Sequence, residues 1–132
     1  MSIEANKALV RRWVEARNRN DLGAALELWS DAWRDRVRRA FSGLTKAFPD
    51  LHITIETLIA EGETVVLRGR MRGTHRGLFR GIPATGRTVD WPTTDIYTVA
   101  AGKLTSVVRE GDSLALLEQL GVAAPQPARG RS

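Results

Sequence analysis

Apolar residues recur every three or four positions in the first part of the chain and every second position afterwards, so helices precede strands. Leu9, Val10, Trp13 and Val14 form the stripe of a first amphipathic helix, extended by Ile3 and Ala16, with Ser2 placed to cap its start. Asn18 to Asp21 break the pattern, and Asp21 can cap a short second helix carrying Leu22, Ala25, Leu26 and Trp29. Ser30 or Asp31 can cap a third, in which Trp33, Val37, Ala40, Phe41, Leu44 and Phe48 share a face. Its opposite face, with Arg34, Arg38, Arg39 and Lys46, reads as solvated, and Pro49-Asp50 ends it.

From Leu51 the period is two. Leu51, Ile53 and Ile55 alternate with His52, Thr54 and Glu56, and Glu61-Gly62-Glu63 makes a hairpin turn. A second strand, about Thr64 to Arg76, sets Val65, Leu67 and Met71 against a row of Arg68, Arg70 and Arg72. A glycine-rich loop leads to a third strand, roughly Thr88 to Val99. A tight turn at Ala100 to Gly102 and a fourth strand from Lys103 to about Glu110 follow. Asp112 or Ser113 caps a last helix that stops at Gly121, and 122–132 reads as a disordered tail. Three helices, an antiparallel meander and a closing helix make an α+β domain over 1–121.

Composition narrows the function classes. A chain of 132 residues reads as one domain with a core of its own, and its lack of cysteine removes disulfides and thiolate metal sites. No apolar run approaches the ~20 residues of a membrane span, and the expected location is the cytoplasm. The net charge of +5 comes from scattered arginines without an aromatic RNA-binding motif, so no nucleic-acid partner is expected. The two histidines, His52 and His75, are not in a metal-ligand spacing. No nucleophile-elbow serine is present, and no glycine-rich strand-to-helix loop cradles a phosphate. No metal and no cofactor are expected. What remains is general acid–base chemistry by a carboxylate or histidine in an apolar pocket, where burial raises a carboxyl pKa toward neutrality.

The run Gly73-Thr74-His75-Arg76-Gly77, then Gly81-Ile82-Pro83-Ala84-Thr85-Gly86-Arg87, then Trp91, followed by Ala101-Gly102-Lys103-Leu104 and the segment from Asp112 to Gly121, resembles the SnoaL-like polyketide cyclase (ester cyclase) family of the nuclear-transport-factor-two-like superfamily. The resemblance implies a cone-shaped α+β barrel, its curved antiparallel sheet wrapped around the N-terminal helices with a pocket between them. It also implies a hydrophobic, polyketide-like small-molecule substrate and a homodimer. The expected function is cofactor-independent cyclisation in secondary metabolism, with isomerisation or epoxide opening on the same fold, or non-catalytic binding, as alternatives.

The matching aspartate serves as acid/base in that family, so the resemblance makes Asp112 the first catalytic candidate; the residues alone favour a helix cap. His75 either meets a substrate carbonyl or shares a proton with Asp112, or fixes the loop backbone. Asp95, mid-strand beside Thr93 and Tyr97, is a second acid or the partner of an arginine such as Arg70. Trp91, Tyr97 and Trp29 are pocket or core aromatics, with Tyr97 able to donate to an enolate oxygen. Glu56 is a pocket acid or part of an exposed sheet face, and the arginine row at 68, 70 and 72 lines a dimer interface or is solvated. The chain departs from the family pattern in two places. Leu28-Trp29-Ser30-Asp31 runs almost directly into the third helix with no histidine, and Ser106-Val107-Val108 stand where glutamate, histidine and tryptophan are common.

Overall fold

The computed structural model of the chain describes residues 2–122. The tail expected over 122–132 therefore lies, from residue 123 on, outside the described residues. Three helices lead: α1 (Ile3–Asn18), α2 (Leu22–Glu27) and α3 (Asp31–Ala47). Ser2 Oγ accepts from the Ala5 amide at 3.0 Å and Asp21 Oδ1 from the Ala24 amide at 3.0 Å, so two caps are made as their residue types predict. Ser30 holds the N-cap position of α3 without a side-chain hydrogen bond.

Four strands follow, β1 (His52–Glu61), β2 (Thr64–Thr74), β3 (Thr88–Ala100) and β4 (Lys103–Gly111), then α4 (Ser113–Gln119). They pair antiparallel in the order β1-β2-β3-β4, an unclosed meander. Ala101 and Gly102, at φ 53° and 75°, form the left-handed two-residue turn that suits a tight hairpin. The inner face carries Val65, Leu67 and Met71 of β2 and Val89, Trp91, Thr93, Asp95, Tyr97 and Val99 of β3, all buried. The expected end of β2 at Arg76 comes two residues early, because the His75 amide and carbonyl pair with Arg87 and Gly86 of the loop.

Two bulges shape the sheet. Ile55 faces Gly69 but Thr57 faces Arg68, so Glu56 is the extra residue, exposed on the bulge. A Cβ at Gly69 would stand 2.3 Å from the Thr54 carbonyl oxygen, so only glycine lets the two strands approach there. The second bulge lies between β3 and β4. Val99 pairs with Leu104 and Thr98 with Ser106, which leaves Thr105 over and shifts the rest of β4 by one residue. Since successive side chains point to opposite faces, the shift turns Val107 and Arg109 inward and Val108 outward.

The helices close over the inner face. The α2–α3 junction is fastened to β4: Leu104 donates to the Leu28 carbonyl at 2.8 Å and Ser30 donates to the Leu104 carbonyl at 2.9 Å. At the other end, α4 is held against β3 by the Gln119 amide, which accepts from Asp90 N at 2.6 Å and donates to Asp90 O at 2.8 Å. The core from α1, α3 and the sheet is continuous, but it does not fill the space between them.

Candidate functional site

An apolar cavity of about 340 Å3 opens between α1, α3 and the inner sheet face, a size at the lower end of small-molecule pockets. Its aromatic wall follows from the helical stripes. Trp13 meets Trp29 edge-on with centroids 5.4 Å apart, Trp29 stacks on Trp33 at 5.7 Å, and Phe41 closes the side. Val107 and Ile53 line it from the sheet. The ionisable residues of the lining are three arginines, Arg17, Arg36 and Arg109. A second cavity of about 260 Å3 lies toward α4, between Met71, Phe79, Trp91 and Leu116. Leu44 and Arg109 belong to both walls, so Arg109 stands at the junction of the two chambers.

Arg109 is held there by a buried acid. The bulge in β4 puts it directly opposite Asp95 in register. Its Nε donates to Asp95 Oδ1 at 2.8 Å and its Nη2 to Oδ2 at 2.7 Å, a two-point pair. Asp95 also accepts from Tyr97 Oη at 2.8 Å and from Thr93 Oγ1 at 3.3 Å, while Trp13 Nε1 donates to Tyr97 Oη at 3.0 Å. The carboxylate is 2% exposed, but the Arg109 side chain keeps 33% exposure, and its Nη1 has no hydrogen bond among the described residues. Burial works against the Arg109 cation, yet the hydrogen bonds to Asp95 and its charge outweigh that and raise the pKa above its ordinary value. Burial first, and the Asp95 charge second, push the Tyr97 phenol up. The assembly is therefore a charged guanidinium on a carboxylate, steadied by a neutral phenol, with one edge turned to the cavities.

The sequence candidates divide around this frame. Trp29 lines the first cavity and Trp91 the second. Asp95 does pair with an arginine, but with Arg109; Arg70 binds Asp90 instead at 2.7 Å. Tyr97 stands behind the wall, its hydroxyl used by Asp95 and Trp13, so the expected free donor to an enolate is not there. His75 is fully buried beside Phe48 and Phe79, with Nδ1 accepting from the Thr85 amide at 3.2 Å, and lines neither cavity. Its loop-fixing alternative describes these contacts. Glu56 is exposed on its bulge rather than in the pocket.

Asp112 requires a correction of placement. It is exposed at the N-terminus of α4, with Oδ1 accepting from the Ala115 amide at 2.9 Å, and it is absent from both linings. An acidic side chain there satisfies a helix amide that would otherwise lack a partner. Arg109 and Arg17 are the site residues that the sequence reading missed. For Arg17 a signal exists: it falls four residues after Trp13 and seven after Val10, on the buried stripe of α1. Among the described residues no three His, Asp or Glu side chains gather to hold a metal ion.

With the geometry in place, comparison with other proteins supplies the kinship. AclR from Streptomyces galilaeus is 29% identical, with 96% of this chain and 87% of that one covered and a TM-score of 0.84. TsrD from Streptomyces laurentii is 25% identical over 92% of this chain and 98% of its own, at a TM-score of 0.85. An NTF2-like protein from Burkholderia thailandensis, 22% identical over 96% of this chain and 100% of that one, shares the fold at a TM-score of 0.73. No curated protein matches the sequence. The profile of the SnoaL-like polyketide cyclases matches residues 7–120. That span takes in both cavities and the Asp95–Arg109 pair, and the chain belongs to the SnoaL-like polyketide cyclase family.

Proposed function

We propose that the chain binds a polyketide-like substrate with its aromatic part against the tryptophan wall and promotes ring closure at Arg109. The observation that carries this reading is the cation fixed at the junction of two chambers. A substrate lying across both chambers brings a carbonyl to the Arg109 Nη1 edge. Ring closure needs a carbon next to that carbonyl to lose a proton, its electrons passing to the oxygen as an enolate. The enolate carbon then bonds to a second carbonyl, whose oxygen takes up a proton. A donor already fixed where negative charge develops lowers that barrier without reorganising in the reaction, an effect of about 3–4 kcal/mol per donor in comparable sites.

Asp95 acts through Arg109 in this scheme and is a positioning residue; Thr93, Tyr97 and Trp13 hold it in turn. Among the described residues no carboxylate and no histidine lines either cavity, so the scheme gives proton transfer to water. That same observation favours a second reading, in which the cavity only binds.

Turnover of aromatic substrates carrying an uncyclised 1,3-dicarbonyl chain, followed by chromatography, separates the two. The comparison is wild type against the double variant Asp95→Asn/Arg109→Met, which removes both charges and leaves neither alone. The catalytic reading expects acceleration by the wild type and a loss of 10²-fold or more in the variant. Tight binding with no acceleration by the wild type overturns it in favour of the binding reading.

A further inference from the structure

Arg17 is a buried cation with unmet hydrogen-bonding capacity. It is 1% exposed and lines the tryptophan-walled cavity. Its Nη1 donates to Thr45 Oγ1 at 3.0 Å and to Asn20 Oδ1 at 3.3 Å. Its Nε and Nη2 have no partner among the described residues, and no carboxylate there pairs with it. The ring of Phe41 lies 4.1 Å from its guanidinium carbon. Burial first, and the nearby charge of Arg109 second, lower its pKa to about 10.

Nearly every buried polar group in a folded protein is satisfied, and a buried charge without a counter-ion is costly. Here the unmet atoms are Nε and Nη2, the edge of a guanidinium that matches the two oxygens of a carboxylate. The indole Nε1 of Trp29, in the same wall, is also buried without a partner. The cavity thus joins flat aromatic walls to three guanidiniums: Arg109 has its acid, Arg36 is exposed, and Arg17 alone is fully buried without one.

We infer that the ligand of this cavity is an aromatic acid, whose carboxylate is bound by the Nε–Nη2 edge of Arg17. The inference rests on the reading that the cavity holds an aromatic ligand, and it specifies the free acid over its ester or amide. In the structure both nitrogens are sealed from water. The carboxylate therefore reaches them by displacing side chains of the wall, in which Phe41 packs on the same guanidinium. Anchoring at Arg17 holds the aromatic body against the tryptophans and orients the rest of the molecule toward Arg109.

The test uses anthraquinone-2-carboxylate and its methyl ester as matched probes, titrated against the full chain by quenching of tryptophan fluorescence. In the wild type the acid binds at least tenfold more tightly than the ester. Arg17→Met abolishes that preference while leaving ester binding in place, Arg17→Lys keeps part of it, and Arg36→Met keeps all of it. Equal affinity of the wild type for acid and ester overturns the inference but leaves the aromatic cavity standing. A preference that survives Arg17→Met, or disappears in Arg36→Met, also overturns it. Failure of both probes to bind removes the aromatic-cavity reading and this inference with it. Should Arg17→Met not fold, Arg17→Lys decides, and an acid preference that it leaves undiminished overturns the inference.

Discussion

Replacing Arg17 with methionine should make the protein more stable. Burial first, and the nearby charge of Arg109 second, lower the Arg17 pKa to about 10, which disfavours the charged form by roughly 3 kcal/mol. Methionine occupies the same stem and needs no partner. Against this gain stand the 3.0 Å bond to Thr45, about 1 kcal/mol, and the contact with the Phe41 ring, also about 1 kcal/mol. Asn20 and Thr45 still face each other at 3.5 Å once the guanidinium is gone. The balance leaves Arg17→Met about 1 kcal/mol more stable at pH 7, a urea midpoint about 0.5–1 M higher. The sign with pH follows from proton binding. From about pH 10 upward the folded chain has shed the Arg17 proton while the unfolded chain, whose guanidinium keeps its ordinary higher pKa, still holds it. Wild-type stability relative to the variant therefore rises with pH across that window. The gap between the two is full below pH 10 and closes above it. Urea titrations at pH 7 and above pH 10 measure both effects. A variant at least 1 kcal/mol less stable than wild type at pH 7 would refute the reasoning and make Arg17 a structural residue.

Three further outcomes are expected. Asp112→Ala loses about 1 kcal/mol in urea unfolding, as a lost helix cap does, with ligand affinity and turnover unchanged; a collapse of turnover in the folded variant returns Asp112 to the chemistry. Asp95→Ala leaves Arg109 without its counter-ion and costs about 3–5 kcal/mol, most of it recovered in Asp95→Asn/Arg109→Met; equal losses in the single and double variants, read from the same unfolding curves, would contradict this. The outer sheet face carries a row across all four strands, Ile59 opposite Val66, Val66 opposite Ile96 and Ile96 opposite Val108, with Ile59 and Val108 more than half exposed. We propose this row as the contact of a homodimer, so light scattering should show a dimer that Ile96→Glu splits; a wild-type monomer at micromolar concentration would dismiss it.

The fold was legible because its signals are local. The helical stripes, the caps at Ser2 and Asp21 and the turn at Ala101-Gly102 each need only a few neighbouring residues. The site was legible only in part, because its geometry depends on register. Counting back from the Ala100–Lys103 pair without a bulge would put Val108 opposite Asp95 and send Arg109 outward. The extra residue, Thr105, reverses that, and nothing in its composition marks it as a bulge. Asp112 shows the opposite difficulty. An aspartate before a helix looks the same in sequence as a cap and as a base, and only its exposure distinguishes them. Arg17 was hidden among Arg11, Arg12 and Arg19, although its spacing from Trp13 sets it on the inner stripe.

The facing pair on β3 and β4 also constrains how the chain can diverge. A lineage that mutates codon 109 alone passes through a protein with a buried carboxylate lacking its counter-ion, and one that mutates codon 95 alone leaves Arg109, one-third exposed, without its acid. Such intermediates should be selected against, so the two positions should be inherited as a couplet. Descendants should show either both charges or two uncharged residues at these sites, and mixed combinations should be scarce.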